Sequence, residues 1–188
     1  PLYSSAASDV YKRQIPKDNK VVLYLGRVSD EKNIDEVMLY LDHYMDTNPD
    51  VTFLVVGDGP QRGTLERQAR TLKHRKQIIF AGAKPWDEIT HYYQVADVFV
   101  SGSTSETQGL TYIEALASGL PVVARRDPCL DGVLFEGKNG YEFLDEDSFV
   151  RGMDKVLRNP QGIDYSKNAM ASAEPFSTQQ FACLLYTS

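Results

Sequence analysis

The sequence predicts an α/β fold built on a doubly wound parallel sheet, and two observations carry that prediction. Short β-branched runs recur along the chain, VVLYLG (21–26), VTFLVVG (51–57), QIIFAG (77–82), ADVFVSG (96–102) and PVVAR (121–125), and longer amphipathic stretches separate them. The runs are apolar without alternation and are bounded by Gly or Pro, the pattern of strands covered on both faces. Five such strand-helix repeats, joined by right-handed crossovers, place helices on both sides of one parallel sheet.

Each element has its own signal. After the strand at 21–26, Ile34, Val37, Met38, Leu41 and Met45 fall at i, i+3, i+4, i+7 and i+11, which is one helix face. The strand at 51–57 leads to a helix at 61–73, the strand at 77–82 to a helix at 85–95, and the strand at 96–102 to a helix at 109–118. After the fifth strand, Pro128 and Gly132 signal a turn, and a helix follows at 147–158. Asp145, Glu146 and Asp147 stand where a helix start favours acids, and that reading is preferred to a metal-binding carboxylate pair. Residues 15–182 are expected to form one domain. The tails, 1–14 and 183–188, show no period; DVYKRQ and CLLYTS resemble translated adaptor sequence, so both tails are read as non-native, with a disordered linker as the alternative.

Composition narrows the function classes. A chain of 188 residues fits a single domain. With 20 Lys+Arg against 26 Asp+Glu it lacks the basic excess of a nucleic-acid binder. Its longest apolar runs fall far short of the ~20 residues that cross a bilayer. Cys129 and Cys183 are too few for a disulfide scaffold and have no metal-ligand spacing, which points to a reducing compartment.

In doubly wound sheets ligands bind at the carboxyl ends of the strands, near the point where strand order reverses. The chemistry is therefore expected just after Gly26, Gly57, Gly82 and Gly102. Arg27 and Lys32, five apart at the first such turn, bring a bidentate guanidinium and a compact ammonium together, a pairing that suits a diphosphate; a solvated basic pair is the plain alternative. The loop SGSTSETQGL (101–110) is small and polar, and the helix it enters aims free N–H groups at an anion. Glu106 precedes that anion site and Glu114 lies about one turn inside the helix. Carboxylates beside phosphate are costly unless they accept from neutral hydroxyls, so sugar hydroxyls are their natural partners. The plainer alternatives are a loop charge for Glu106 and a dipole-favoured acid for Glu114.

Other polar residues are less informative. His43 and His91 fall on helices and His74 lies in a basic run, so all three are read as surface histidines. Cys129 is read as a packed or loop thiol, and Asp127 and Asp131 either face the cleft or shape the turn at Pro128. Trp86 is expected to pack against a helix start, with stacking on a sugar or base second. Gly57, Gly59 and Gly63 approach the dinucleotide fingerprint, but the third glycine is one position late and the next strand ends without an acid.

Three segments in order, GRVSDEKN (26–33), VVGDGPQR (55–62) and SETQGLTYIEALASGLPVVA (105–124), resemble the C-terminal, donor-binding domain of retaining glycosyltransferase family 4, a Rossmann-like half of the GT-B fold. The resemblance covers roughly residues 15–180 and is nearest to bacterial glucosyltransferases acting on diacylglycerol or related lipids. It implies that Arg27 and Lys32 hold the nucleotide diphosphate, that Glu106 bonds and orients the donor hexose, and that Glu114 bonds the ribose. It further implies that Gly26, Gly57, Asp58 and Gly59 line the nucleotide and that the backbone of Thr107, Gln108, Gly109 and Leu110 caps the phosphates. The turn Ala83-Lys84-Pro85 would read the base, and Arg62 would reach toward phosphate or ribose. The implied reaction moves a hexose from a nucleotide sugar, UDP-glucose foremost, with retention and without a metal or other cofactor. The acceptor would be diacylglycerol or a glycolipid, met through an N-terminal Rossmann domain that this sequence does not contain. That domain would place a cytoplasmic enzyme at the inner face of the membrane, and the chain alone would be inactive. A non-catalytic nucleotide-sugar binding module or an epimerase of the same fold is the alternative, and an NAD-dependent dehydrogenase comes last.

Overall fold

The computed structural model describes residues 15–104 and 109–185. What was expected of residues 1–14, of 186–188 and of Glu106, Thr107 and Gln108 lies outside the described residues. Six described strands, β1 (Lys20–Leu25), β2 (Val51–Val56), β3 (Ile78–Gly82), β4 (Val98–Ser101), β5 (Val122–Arg125) and β6 (Gly140–Phe143), form one sheet in the order β3-β2-β1-β4-β5-β6. Every pairing is parallel. The described helices are α1 (Ile34–Tyr44), α2 (Arg62–Ala69), α3 (Trp86–Val95), α4 (Leu110–Ala117), α5 (Glu146–Leu157) and α6 (Tyr165–Leu185). None of them is long and apolar enough to cross a membrane.

The period-two alternation of the strands divides the core. Val22, Tyr24, Phe53, Val55 and Val123 face one side and meet Ile34, Val37, Met38 and Leu41 of α1, Leu65 of α2, and Phe149 and Met153 of α5. Val21, Leu23, Leu54, Phe99 and Val122 face the other side and meet Tyr92 and Tyr93 of α3, Tyr112 and Leu116 of α4, and Ala169 and Ala173 of α6. Each large aliphatic side chain buried in this way contributes about 1.5–3 kcal/mol, so the apolar stripe of α1 alone outweighs its modest propensity. Glu36 of α1 pairs with Arg125 at the end of β5, whose guanidinium lies 5.1 Å over the Phe143 ring and donates to the Leu144 carbonyl. Chain order reverses between β1 and β4, which opens a crevice at their carboxyl ends.

The structure adds two elements to the five expected repeats. β6 is a four-residue strand at the sheet edge, and α6 lies beyond the expected last helix. The helix expected at 61–73 stops at Ala69, because the buried carboxylate of Asp42 on α1 accepts from the backbone N–H groups of Lys73 (3.3 Å) and His74 (2.7 Å) and draws that segment off the helical path. Asp145 is the N-cap of α5 and forms a capping box with Ser148, as the acid-rich helix start predicts.

Candidate functional site

Backbone hydrogen bonds lock the exits of the first three strands together. The N–H of Gly26 donates to Val56 (3.0 Å), that of Val28 to Asp58 (3.0 Å), that of Gln61 to Val28 (3.2 Å), and that of Gly57 to Gly82 (2.9 Å). This contact is close enough to require glycine. A Cβ on Gly57 would strike the carbonyl oxygen of Gly26, and one on Gly59 would strike that of Val28. Gly26, Gly57, Asp58 and Gly59 thus form one continuous backbone floor.

The crevice itself is bridged from β1 to β4. Asn33, in the left-handed conformation at the start of α1, donates its side-chain amide to the Gly102 carbonyl at 2.9 Å, and the Lys32 ammonium lies 3.5 Å from the Ser103 hydroxyl. Ser103 is fully buried, and its N–H donates to Ser101 Oγ (3.3 Å), which also accepts from the Tyr112 hydroxyl (3.0 Å). Arg27 is exposed, and its guanidinium makes no hydrogen bond or ion pair among the described residues. Its carbonyl accepts from Tyr24 (2.8 Å), which fixes the backbone from which it projects. Gly109 is the N-cap of α4, in the left-handed region at φ 59°, and as glycine it has no side chain with which to cap the helix. The N–H of Tyr112 donates back to the Gly109 carbonyl (3.1 Å), whereas those of Leu110 and Thr111 make no hydrogen bond among the described residues and can face an anion.

Glu114 sits one turn inside α4, half-buried, and its Oε2 accepts from the Tyr93 hydroxyl of α3 at 3.1 Å. Burial pushes its carboxyl above the ordinary carboxylate range, and the Tyr93 hydrogen bond opposes that rise. Tyr93 is the partner that sequence reasoning missed: a tyrosine on the apolar face of a helix reads as core, and only the fold brings it to Glu114.

Other expectations are corrected by their surroundings. Arg62 is occupied by Asp58 (3.2 Å) and Glu66 (2.8 Å) and packs against Gly82, where a Cβ would come 2.9 Å from its Nη1, so its charge is already met within the protein. Trp86 is 75% exposed and does not pack the start of α3. Asp127 is buried and caps a short 3-10 turn by accepting from the Cys129 N–H at 2.9 Å, so it shapes the turn. Cys129 packs against Gly109. His43 is exposed beside Glu146 at 2.6 Å, whereas His74 is largely covered and bonded to Asp46 at 2.8 Å, and His91 is half-buried with a buried Nδ1; the last two are not free surface histidines. Lys84 is half-buried in the turn after β3, next to the exposed Ala83 and Pro85.

Comparison with known proteins agrees with this geometry. The family model described as "Glycosyl transferases group 1" matches residues 7–174. The alpha-monoglucosyldiacylglycerol synthase of Acholeplasma laidlawii is 35% identical over 172 residues, covering 91% of this chain and 43% of that protein. The Streptococcus pneumoniae (strain ATCC BAA-255 / R6) protein of the same name is 40% identical over 135 residues, covering 72% of this chain and 31% of its own length. The chain thus spans less than half the length of these two relatives. Among solved structures, Anabaena Alr3699/HepE in complex with UDP-glucose superposes with a TM-score of 0.80 at 23% identity, over 100% of this chain and 54% of that one. A sheet that reverses between β1 and β4, open at the strand ends where the phosphate-binding loops were expected, is the C-terminal Rossmann-like half of the GT-B fold, and the chain belongs to the group 1 glycosyltransferases.

Proposed function

We propose that residues 15–182 are the donor-binding domain of a retaining hexosyltransferase of glycosyltransferase family 4 that uses UDP-glucose and glucosylates a membrane lipid of the diacylglycerol class. The observation that carries the reading is the crossing of the β1–β4 crevice: Lys32 reaches the β4 loop beside the open start of α4, and the uncommitted guanidinium of Arg27 stands at the same edge. The names of the two synthases support the lipid and the hexose, and the UDP-glucose complex of a protein with this fold supports the donor.

As the bond from the anomeric carbon to the diphosphate breaks, negative charge grows on the leaving phosphate and the carbon becomes cation-like. Arg27, Lys32 and the first-turn N–H groups of α4 are donors already in place for that charge, and in this reading they do the work of a metal ion. Glu114 takes the ribose hydroxyls. Glu106, which lies outside the described residues, orients the hexose and abstracts no proton. An N-terminal Rossmann domain brings the acceptor from the inner membrane face, so the 188-residue chain binds donor without transferring it.

Calorimetric titration with UDP, UDP-glucose, GDP and NADH in excess chelator tests the reading. UDP and UDP-glucose should bind without added metal and NADH should not. A chain that binds no nucleoside diphosphate overturns it. Fusion to the N-terminal domain should then restore glucosyl transfer to diacylglycerol vesicles.

A further inference from the structure

The carboxylate of Glu114 is held from one side. Among the described residues its only hydrogen-bond partner is the Tyr93 hydroxyl, which meets Oε2 at 3.1 Å from a different helix, 21 positions away in sequence. We infer that Tyr93 is a positioning residue for the nucleotide, fixing one oxygen of Glu114 so that the other is presented to the hydroxyls of a ribose. The inference rests on the donor-binding role proposed for Glu114 and assigns the residue that makes that role possible.

The tyrosine is built to hold still. It is 3% exposed, its ring lies 6.3 Å from that of Phe99 on β4, and Phe99 meets Tyr112 edge-on at 6.0 Å. Tyr112 is fixed in turn by its bond to Ser101. The Tyr93 hydroxyl is therefore aimed by the core, and its rotation is limited to the ring plane. Burial and then the charge of Glu114 push its own ionisation upward, so it remains a donor throughout the neutral range. Burial of Glu114 favours the protonated carboxyl, and the tyrosine hydrogen bond favours the ionised one. The charged and titratable groups on the helices packed beside it are Asp87, Glu88 and His91 on α3 and Lys167 and Glu174 on α6. An ionised carboxylate only accepts, so the oxygen that Tyr93 leaves open can take ribose hydroxyls, and protonation turns an acceptor into a donor.

The experiment compares UDP with 2′,3′-dideoxyuridine diphosphate, by titration calorimetry on the 188-residue chain, from about pH 4, near the ordinary carboxylate value, to about pH 8. The parent should prefer UDP and lose that preference as the pH falls through the Glu114 range. Tyr93→Phe, which keeps the ring against Phe99, should weaken UDP binding about tenfold at neutral pH and move the acid limb to higher pH. It should leave the dideoxy nucleotide nearly unaffected. In a Glu114→Ala background the same substitution should cost nothing further. A Tyr93→Phe chain with the parental affinity and pH profile overturns the inference. So does an equal loss for both nucleotides with an unmoved acid limb, which would mark a packing role only. A parent chain that binds no UDP overturns the donor-site reading itself, and this inference with it.

Discussion

Arg27 and Glu114 mark the two charged ends of the crevice, the first exposed and unpaired among the described residues, the second half-buried and bonded to a tyrosine. Their supports differ to match. The loop that carries Arg27 is held by its backbone, through Val28, Asp58 and the Tyr24 hydroxyl, while the guanidinium is left to water. Glu114 projects from a helix and is held by its side chain. An exposed guanidinium keeps its charge at every accessible pH and can take its partner from the ligand. A carboxylate that must accept hydroxyls gains strength from drying, but drying works against its charge, and the protein supplies a donor that opposes that effect. The cationic end is therefore ready to be neutralised, and at the anionic end one built-in donor offsets part of the cost of burial.

Breaking the cationic end should have the largest effect. In an enzyme carrying both domains, Lys32→Ala or Arg27→Ala is expected to lower transfer by about 10²–10³-fold, the usual loss for one pre-placed donor to a developing charge. Steady-state kinetics would measure it. Arg27→Ala should leave the thermal midpoint nearly unchanged, because no described residue loses a hydrogen bond or ion pair with it. Next comes the backbone that supports this end. Gly57→Ala sets a Cβ against the Gly26 carbonyl at φ 140° and should cost about 3 kcal/mol in urea unfolding. Gly132→Ala, at φ 75° but in open space, should cost only about 1 kcal/mol. Equal losses would mean that the close contact between the first two strand exits is not what holds the floor.

The same contrast governs what could be read in the sequence. The floor was legible, because continuous apolar runs dictate a parallel sheet, and a parallel sheet dictates that Gly26, Gly57 and Gly82 emerge on one edge. The edge was less so: in β6 only Gly140, Tyr141 and Phe143 are buried, and Glu142 breaks the apolar run. Among the described side chains the stripe that buries α6 is Tyr165, Ala169 and Ala173, with Phe176 packed beside it and Pro175 inside the helix, so mostly small residues mark its first turns. Trp86 was misread because a large aromatic after proline suggests packing, whereas the start of α3 points to solvent. The partner of Glu114 was hidden for a different reason: two adjacent tyrosines at 92 and 93 are both buried, and only the placement of α3 beside α4 gives one of them a carboxylate.

Tyr112→Phe separates the two core tyrosines. It removes a buried bond to Ser101 and should cost about 1 kcal/mol in unfolding, with the pH dependence of UDP binding unchanged. A shifted acid limb in that variant would extend the support of the anionic end beyond Tyr93.

The smallest effect is the sharpest test of how the anionic end is held. Because burial raises the Glu114 carboxyl in the folded chain above its unfolded value, the folded state binds the proton more tightly. Glu114 therefore detracts nothing from stability below the ordinary carboxylate range, and its cost grows as pH rises from there through the raised folded value. Glu114→Gln, which keeps an oxygen to accept from Tyr93 but carries no charge, should match the parent in acid and become slightly more stable than it near neutrality. The gain should be small, because half of the group still meets water. The same variant should bind UDP more weakly at neutral pH, having lost the charge that makes the ribose hydroxyls good partners. Urea unfolding across the pH range, with UDP affinity measured alongside, would show stability and binding moving in opposite directions. If both fell together, Glu114 would be serving the fold, and the carboxylate would have to be removed from the binding site.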